Sequence, residues 1–196
     1  MSPQATHEDY QAALELVPTD WRRIPLRHLF DRVKILGFVD ETMLSVYRDQ
    51  GVIAKDEARN PNKSAEDRSI YQLVDQGWLV VNRMKAWQGS VGISSLRGIV
   101  SGHYICFRPI HGEDSRFLNW LLRSGPFIGH FGSISRGVRP GQIEIDNDQL
   151  ESTLLPLPPL EQQRRIADFL DDQVTRIEAA IASRTSQMDH LTDSLR

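Results

Sequence analysis

The 196 residues include 23 basic and 26 acidic side chains, a formal net charge of −3, with 40% of residues hydrophobic and 25% charged. That balance supplies a packed core, and it excludes a uniformly basic nucleic-acid binder, so any basic face must arise from uneven distribution. Cys106 is the only cysteine, which excludes an intramolecular disulfide and a thiolate zinc knuckle and suits a reducing cytosol.

Along the chain, the N-terminal segment has no apolar signal-like stretch, and no run of about 18 apolar residues occurs anywhere. The expectation is a cytoplasmic chain with no membrane contact. Residues 55–69 carry almost no apolar side chains and read as an exposed loop. Residues 78–82 (WLVVN) and 98–107 (GIVSGHYICF) are rich in β-branched and aromatic residues bounded by glycine, and each reads as a strand. Residues 115–123 place apolar side chains at 117, 118, 121 and 122, the spacing of a helix, closed by Gly125-Pro126. Residues 142–146 alternate as a short strand. Pro156, Pro158 and Pro159 then mark a sharp change, since all 13 glycines and all four tryptophans precede them.

From Leu160 to Arg196 there is neither glycine nor proline. Leu160, Gln163, Ala167, Leu170, Val174, Ile177, Ile181, Arg184, Met188, Leu191 and Leu195 alternate by three and four, the seam of a coiled coil. Gln163 and Arg184 are its polar exceptions, and Ile166 and Phe169 widen the stripe where the helix should also touch the globular part. At about 1.5 Å per residue the helix spans roughly 55 Å. A helix folded back on its own domain is the plainer alternative, but a seam over five heptads favours a partner helix. The fold class expected is α+β: a mixed α/β domain with a twisted β-sheet core over 1–155, then one long coiled-coil helix over 156–196.

Signatures of intrinsic catalysis are missing from the sequence. No two glycines stand two residues apart, so G-x-G-x-x-G is absent, and no Gly-Lys pair forms a phosphate cradle. No acid stands two residues before any lysine, as metal-dependent nucleases commonly require. Asn60-Pro-Asn62 lacks the second proline and the aromatic platform of a base-flipping methyltransferase motif. His103 and His111 have no third ligand at plausible spacing, so no metal site is expected.

Charge is uneven. Between Gly77 and Pro140 stand eight basic residues and two acids, a surplus of six, while the compensating acids lie in the 55–69 loop and the long helix. Such a stretch attracts phosphate through counterion release. Residues 83–90 (RMKAWQGS) combine cations, an amide and a glycine, and residues 132–141 (GSISRGVRPG) form a glycine-punctuated loop with two arginines and two serines. Arginine and glutamine suit base edges, serine and backbone N–H groups suit phosphates. Trp87 and Met84 are equally candidates for the core, and the second loop for plain solvated surface.

These motifs carry a resemblance. LPLPPLEQQRRIADFL (155–170) leading into a heptad helix closely resembles the junction after a target-recognition domain in type I restriction-modification specificity subunits. VPTDW (17–21) with Leu26 resembles the opening of that domain, and GWLVVNRMKAWQGSVGI (77–93) with GIVS (98–101) resembles its core. The resemblance implies a non-catalytic domain that reads one half of a split double-stranded DNA site, and a helix that packs antiparallel against a second helix as a spacer. It implies methyltransferase subunits and a restriction/translocase subunit as partners, with S-adenosylmethionine, ATP and Mg²⁺ bound by those partners and no cofactor on this chain. A full specificity subunit has two such domains and two helices. This chain is therefore expected as a half-subunit, homodimeric through its helix, or as a piece of a longer chain, which the lack of a helix-ending glycine before Arg196 fits.

Charge and resemblance together point to Arg83, Lys85, Gln88, Ser135, Arg136 and Arg139 for DNA contact, with Arg48 as a further candidate, and to Leu170, Val174, Ile177, Ile181, Met188, Leu191 and Leu195 for helix pairing. The reading from a different class is a protein–protein adaptor without base readout.

Overall fold

The structure, a computed structural model, describes residues 5–55, 68–137 and 142–194, with side chains as far as Met188. At its centre is a four-stranded antiparallel sheet in the order β2 (Phe30–Val33), β9 (Tyr104–Pro109), β6 (Leu79–Asn82), β7 (Val91–Ile93). The apolar run Leu79-Val80-Val81 is buried on both faces, as an uninterrupted run in a central strand should be. Leu79 and Val81 point into a core shared with Phe30, Ile105, Phe107 and the helices. Val80 and its cross-strand neighbour Cys106 point the other way, into a second core with Leu44, Val46, Val100 and Trp78. The period of two along one strand thus assembles two cores.

The second core is closed by the hairpin β3 (Leu44–Tyr47) and β4 (Gly51–Ala54) and by the pair β5 (Gln72–Val74) and β8 (Gly98–Val100). The expected strand over 98–107 is in fact two. It breaks at Ser101–His103, where Tyr104 N–H bonds the Ser101 carbonyl, and its halves join different sheets. Glycine at 102 marks that turn and outweighs the strand propensity on either side.

The first core is covered by helices α1 (His7–Leu16), α2 (Ser115–Leu122), α3 (Gly125–Ser133) and α4 (Asn147–Ser152). Asp114 caps α2 by accepting from Arg116 and Phe117 N–H. Gly125-Pro126 does not simply close α2, as expected. It begins α3, where proline sits in the first turn and its missing N–H costs nothing. Helix α1 starts in a capping box between Thr6 and Asp9 and packs on α3.

Strand β12 (Leu154–Leu157) pairs with β1 (Arg22–Pro25), and the Tyr10 hydroxyl donates to the Leu154 carbonyl while accepting from Leu154 N–H, both at 3.0 Å. The chain therefore stays within the globular head through Leu157. After Pro158-Pro159, α5 (Leu160–Ser194) runs for 35 residues as one helix. The short pair β10 (Ser135–Arg136) and β11 (Glu144–Ile145) completes the head. Most of the expected 55–69 loop, together with Arg139 and Leu195, lies outside the described residues, as does the side chain of Leu191. Among the described residues no helix is long and apolar enough to cross a membrane.

Candidate nucleic-acid interface

Three adjoining loops hold the DNA-contact candidates. The segment after β6 turns sharply: Lys85 N–H bonds the Asn82 carbonyl, and a 3-10 turn, Ala86–Gln88, ends at Gly89 with φ +90°. A Cβ at Gly89 would lie 3.0 Å from Ile128 and 3.2 Å from Arg48, so glycine serves both the left-handed backbone and the close approach of the β3–β4 turn. That approach sets exposed Arg48 beside exposed Lys85 and Gln88. Trp87 is half-buried and donates its indole N–H to the Met84 carbonyl, 3.0 Å, so it braces its own turn.

On the other side of the turn, the Arg83 carbonyl accepts from Ile145 N–H at 3.0 Å, stitching this loop to β11. Strand β11 pairs with β10, which carries Arg136 opposite Glu144. Arg136 is exposed, and its charge helps hold down the Asp146 carboxyl, whose main support is the hydrogen bond from Gln149 N–H. Ser135 is half-buried and donates its hydroxyl proton to the Phe131 carbonyl, 2.6 Å, leaving only lone pairs for a ligand. The fold thus gathers Arg48, Arg83, Lys85, Gln88 and Arg136 on contiguous loops, with Ser135 set behind them.

The surplus of positive charge between Gly77 and Pro140 is smaller than the sequence suggests. Arg97 pairs with Glu41 and Asp75, Arg108 with Asp31, and Arg116 with Asp168 and Asp171. Arg123 is half-buried and donates to the Arg48 carbonyl, 2.8 Å; burial lowers its affinity for a proton. Of the described basic residues in this stretch, Arg83, Lys85, Arg123 and Arg136 have no ion pair, and Arg123 is turned inward onto the Arg48 carbonyl. Long-range partners such as Asp31 for Arg108 come from strand register, which a local count of charge does not see.

The helical seam also divides. Gln163 and Ala167 are fully buried against the head, and Leu170 is half-buried. Beyond Val174 the stripe leaves the head: Ile177 is 57% exposed, Ile181 60% and Met188 68%. Phe169, expected to reach the globular part, is instead 62% exposed, because its side chain lies off the stripe that faces α2. A groove of about 490 Å³ opens beside the helix root, lined by Tyr10, Leu14, Trp21, Phe117, Trp120 and Leu170 among others. The seam runs out of this groove from Leu170 through Val174, Ile177 and Ile181, and is broken once by Arg184 before Met188.

The root of the helix is fastened by polar contacts that residue spacing does not reveal. Gln163, an exception in the seam, accepts from Asp114 N–H (3.0 Å) and donates to Glu113 (2.6 Å) and to the Pro158 carbonyl (2.8 Å). Burial alone would raise the Glu113 carboxyl, but hydrogen bonds from Gln163 and Arg22, with the Arg22 charge, hold it below its ordinary value. Trp120 donates its indole N–H to Asp171, 2.8 Å. A glutamine conspicuous in an apolar stripe was the one available signal.

The fold has counterparts among known proteins. The family model described as Type I restriction modification DNA specificity domain matches residues 47–184. Three solved structures share the fold. One is a chain from work on complex assembly and conformational transition of the type I R-M system, 19% identical with TM-score 0.54, covering 94% of this chain and 48% of that one. The HsdS subunit from Thermoanaerobacter tengcongensis is 17% identical with TM-score 0.51, covering 88% and 45%. The Type-I restriction-modification system S subunit from M. genitalium is 14% identical with TM-score 0.55, covering 84% and 42%. The chain spans a little under half the length of each.

Proposed function

The chain belongs to the family of type I restriction-modification DNA specificity domains, and on that premise we propose that it reads one half of a bipartite duplex site without catalysing any step itself. The observation that carries this reading is the convergence of Arg83, Lys85 and Arg136, cations with no ion pair among the described residues, on loops joined by the Arg83–Ile145 hydrogen bond and the β10–β11 pairing. Lysine and arginine there grip phosphates, while Gln88 and an arginine are the side chains suited to base edges. Ser135 and Arg48 belong to the same proposed surface.

The exposed seam is the proposed site of assembly. Ile177, Ile181 and Met188 would be covered by the α5 helix of a second copy lying antiparallel, its far end reaching the groove at the helix root. That pairing places two heads at opposite ends of a rod, so the pair reads a two-fold symmetric split sequence. Methyltransferase subunits and a restriction/translocase subunit would dock on this frame and bring S-adenosylmethionine, ATP and Mg²⁺ with them.

The test is to map methylated sites after exposing DNA to the complex assembled with wild-type chain or with Arg83→Ala plus Arg136→Ala. The expected result is loss or relaxation of site choice with the methyltransferase still able to turn over. Unchanged methylation specificity would overturn the reading.

A further inference from the structure

A second concentration of positive charge joins Arg83 to two cations that precede it in the chain. A pocket of about 300 Å³ opens at the end of the central sheet, lined by Arg32, Lys34, Gln72, Arg83, Gly102 and Tyr104 among others, with no carboxylate among the described residues of its wall. Arg32 and Lys34 stand two residues apart at the end of β2, the spacing that puts strand side chains on one face. Both are exposed. Arg83 joins them from the end of β6, where its N–H bonds the His103 carbonyl at 2.9 Å.

The three cations are little engaged by the protein. Arg32 approaches Glu151 at 3.8 Å, a long and exposed ion pair of small worth. Lys34 has no acidic partner among the described residues. Among the described residues Arg83 Nε, shut away from solvent, has no hydrogen-bond acceptor, so turning this guanidinium toward an incoming oxygen would sacrifice no hydrogen bond seen there. Gln72, by contrast, is committed: its amide donates to the Tyr104 carbonyl at 2.9 Å and to the Ser101 carbonyl at 3.3 Å, fixing the pocket floor. The result is a rigid base under three cations available to a ligand.

We infer that this pocket seats a phosphate of the DNA backbone, with Arg32 and Lys34 as phosphate contacts additional to those named above. The inference rests on the proposed DNA-reading role, because Arg83 is shared between the pocket and the loop that carries Lys85 and Gln88. A backbone phosphate held here fixes the register of the head on the duplex and carries no sequence information itself. Phosphate monoesters present the same chemistry, so the source of the phosphate has to be separated by experiment.

Duplex binding by the full chain in its assembled complex is measured by fluorescence anisotropy between 50 and 200 mM NaCl. Wild type, Lys34→Gln, Arg32→Ala and Arg136→Ala are compared on cognate and scrambled duplexes. Lys34→Gln removes an exposed charge with no acidic partner among the described residues, so the fold is expected to be retained. It is expected to weaken both duplexes alike, roughly fivefold to tenfold, and to lower the slope of log K against log salt by about one. Arg32→Ala should do the same. If wild type and Arg136→Ala differ on duplex while Lys34→Gln and Arg32→Ala match wild type in affinity and slope, the pocket assignment fails and the DNA-reading role stands. If wild type does not bind duplex, both fail. A loss confined to one sequence would mark a base contact and overturn the assignment. Titration with inorganic phosphate is the last arm: a Lys34→Gln defect seen there and absent on duplex would assign the pocket to a free phosphate instead.

Discussion

The Nδ1 atoms of His7 and His130 lie 3.1 Å apart, and their neighbours leave one proton to share between them. Thr153 gives its hydroxyl proton to the Gln149 carbonyl, so His130 Nε2–H must donate to Thr153 Oγ, 3.0 Å. That leaves His130 Nδ1 as an acceptor, filled by His7 Nδ1–H, while His7 Nε2 accepts from the Gln11 amide at 3.2 Å. These tautomers follow from the partners, and the chain of donors runs one way from α1 through α3 to α4. His130 is also stacked on Tyr10, centroids 4.1 Å apart. A second proton between the two Nδ1 atoms would leave His7 only the Ser133 hydroxyl oxygen, 3.3 Å away, as an acceptor.

Stability should therefore depend on acid. Burial first, and the proximity of His7 second, push the His130 pKa down to about 4 from an ordinary value of 6.5. The unfolded chain takes up the proton first as pH falls, so the stabilisation is complete above pH 6.5 and is lost progressively between 6.5 and 4. Its upper bound is roughly 3 kcal/mol. Urea midpoints measured at pH 7.5 and 5 should differ more for wild type than for His130→Gln; equal differences would show that this pair does not govern the acid limb.

Gln163→Leu keeps the volume of a buried side chain but strands Asp114 N–H and the Pro158 carbonyl and strips one hydrogen bond from Glu113. The expected cost is about 2–4 kcal/mol, read as a lower urea midpoint with little change in slope. A variant as stable as wild type would mean that the helix root is held by Trp120 and Arg116 alone.

Cys106 is 1% exposed, and burial pushes its thiol up to about 12. The native chain should resist a thiol-specific disulfide reagent at pH 8, reacting only as fast as it opens, because the nucleophile is the thiolate. Stoichiometric labelling within seconds without denaturant would contradict the burial.

Ile177→Glu changes a side chain already 57% exposed, so the head should unfold at the wild-type midpoint. Sedimentation at micromolar concentration should show wild type as a dimer and the variant as a monomer, since a charge in the seam cannot be buried cheaply. Two monomers would assign the seam to a different partner.

The long helix was legible because its spacing is a property of consecutive residues, and the central strand 79–82 because its apolar run is local. The division of 98–107 into two strands depended on partners at 72–74 and 79–82, which pattern alone does not locate. The same limit governed charge. Arg97, Arg108 and Arg116 look free in sequence and are neutralised by residues 22 to 77 positions away. Arg32 and Lys34 fell outside the stretch with the positive surplus, yet the sheet brings them beside Arg83. Gln163 was visible only as a break in the stripe.

Because Gln163, Asp168 and Asp171 bolt the first turns of α5 to the head, the head cannot swivel about the rod. Its azimuth follows the winding of the helix. One residue added beyond the root would advance everything past it by about 1.5 Å and twist it by roughly 100°, whereas seven would advance it by about 10 Å and nearly restore the original heading. Insertions in this helix should accordingly be tolerated in whole heptads and punished one at a time.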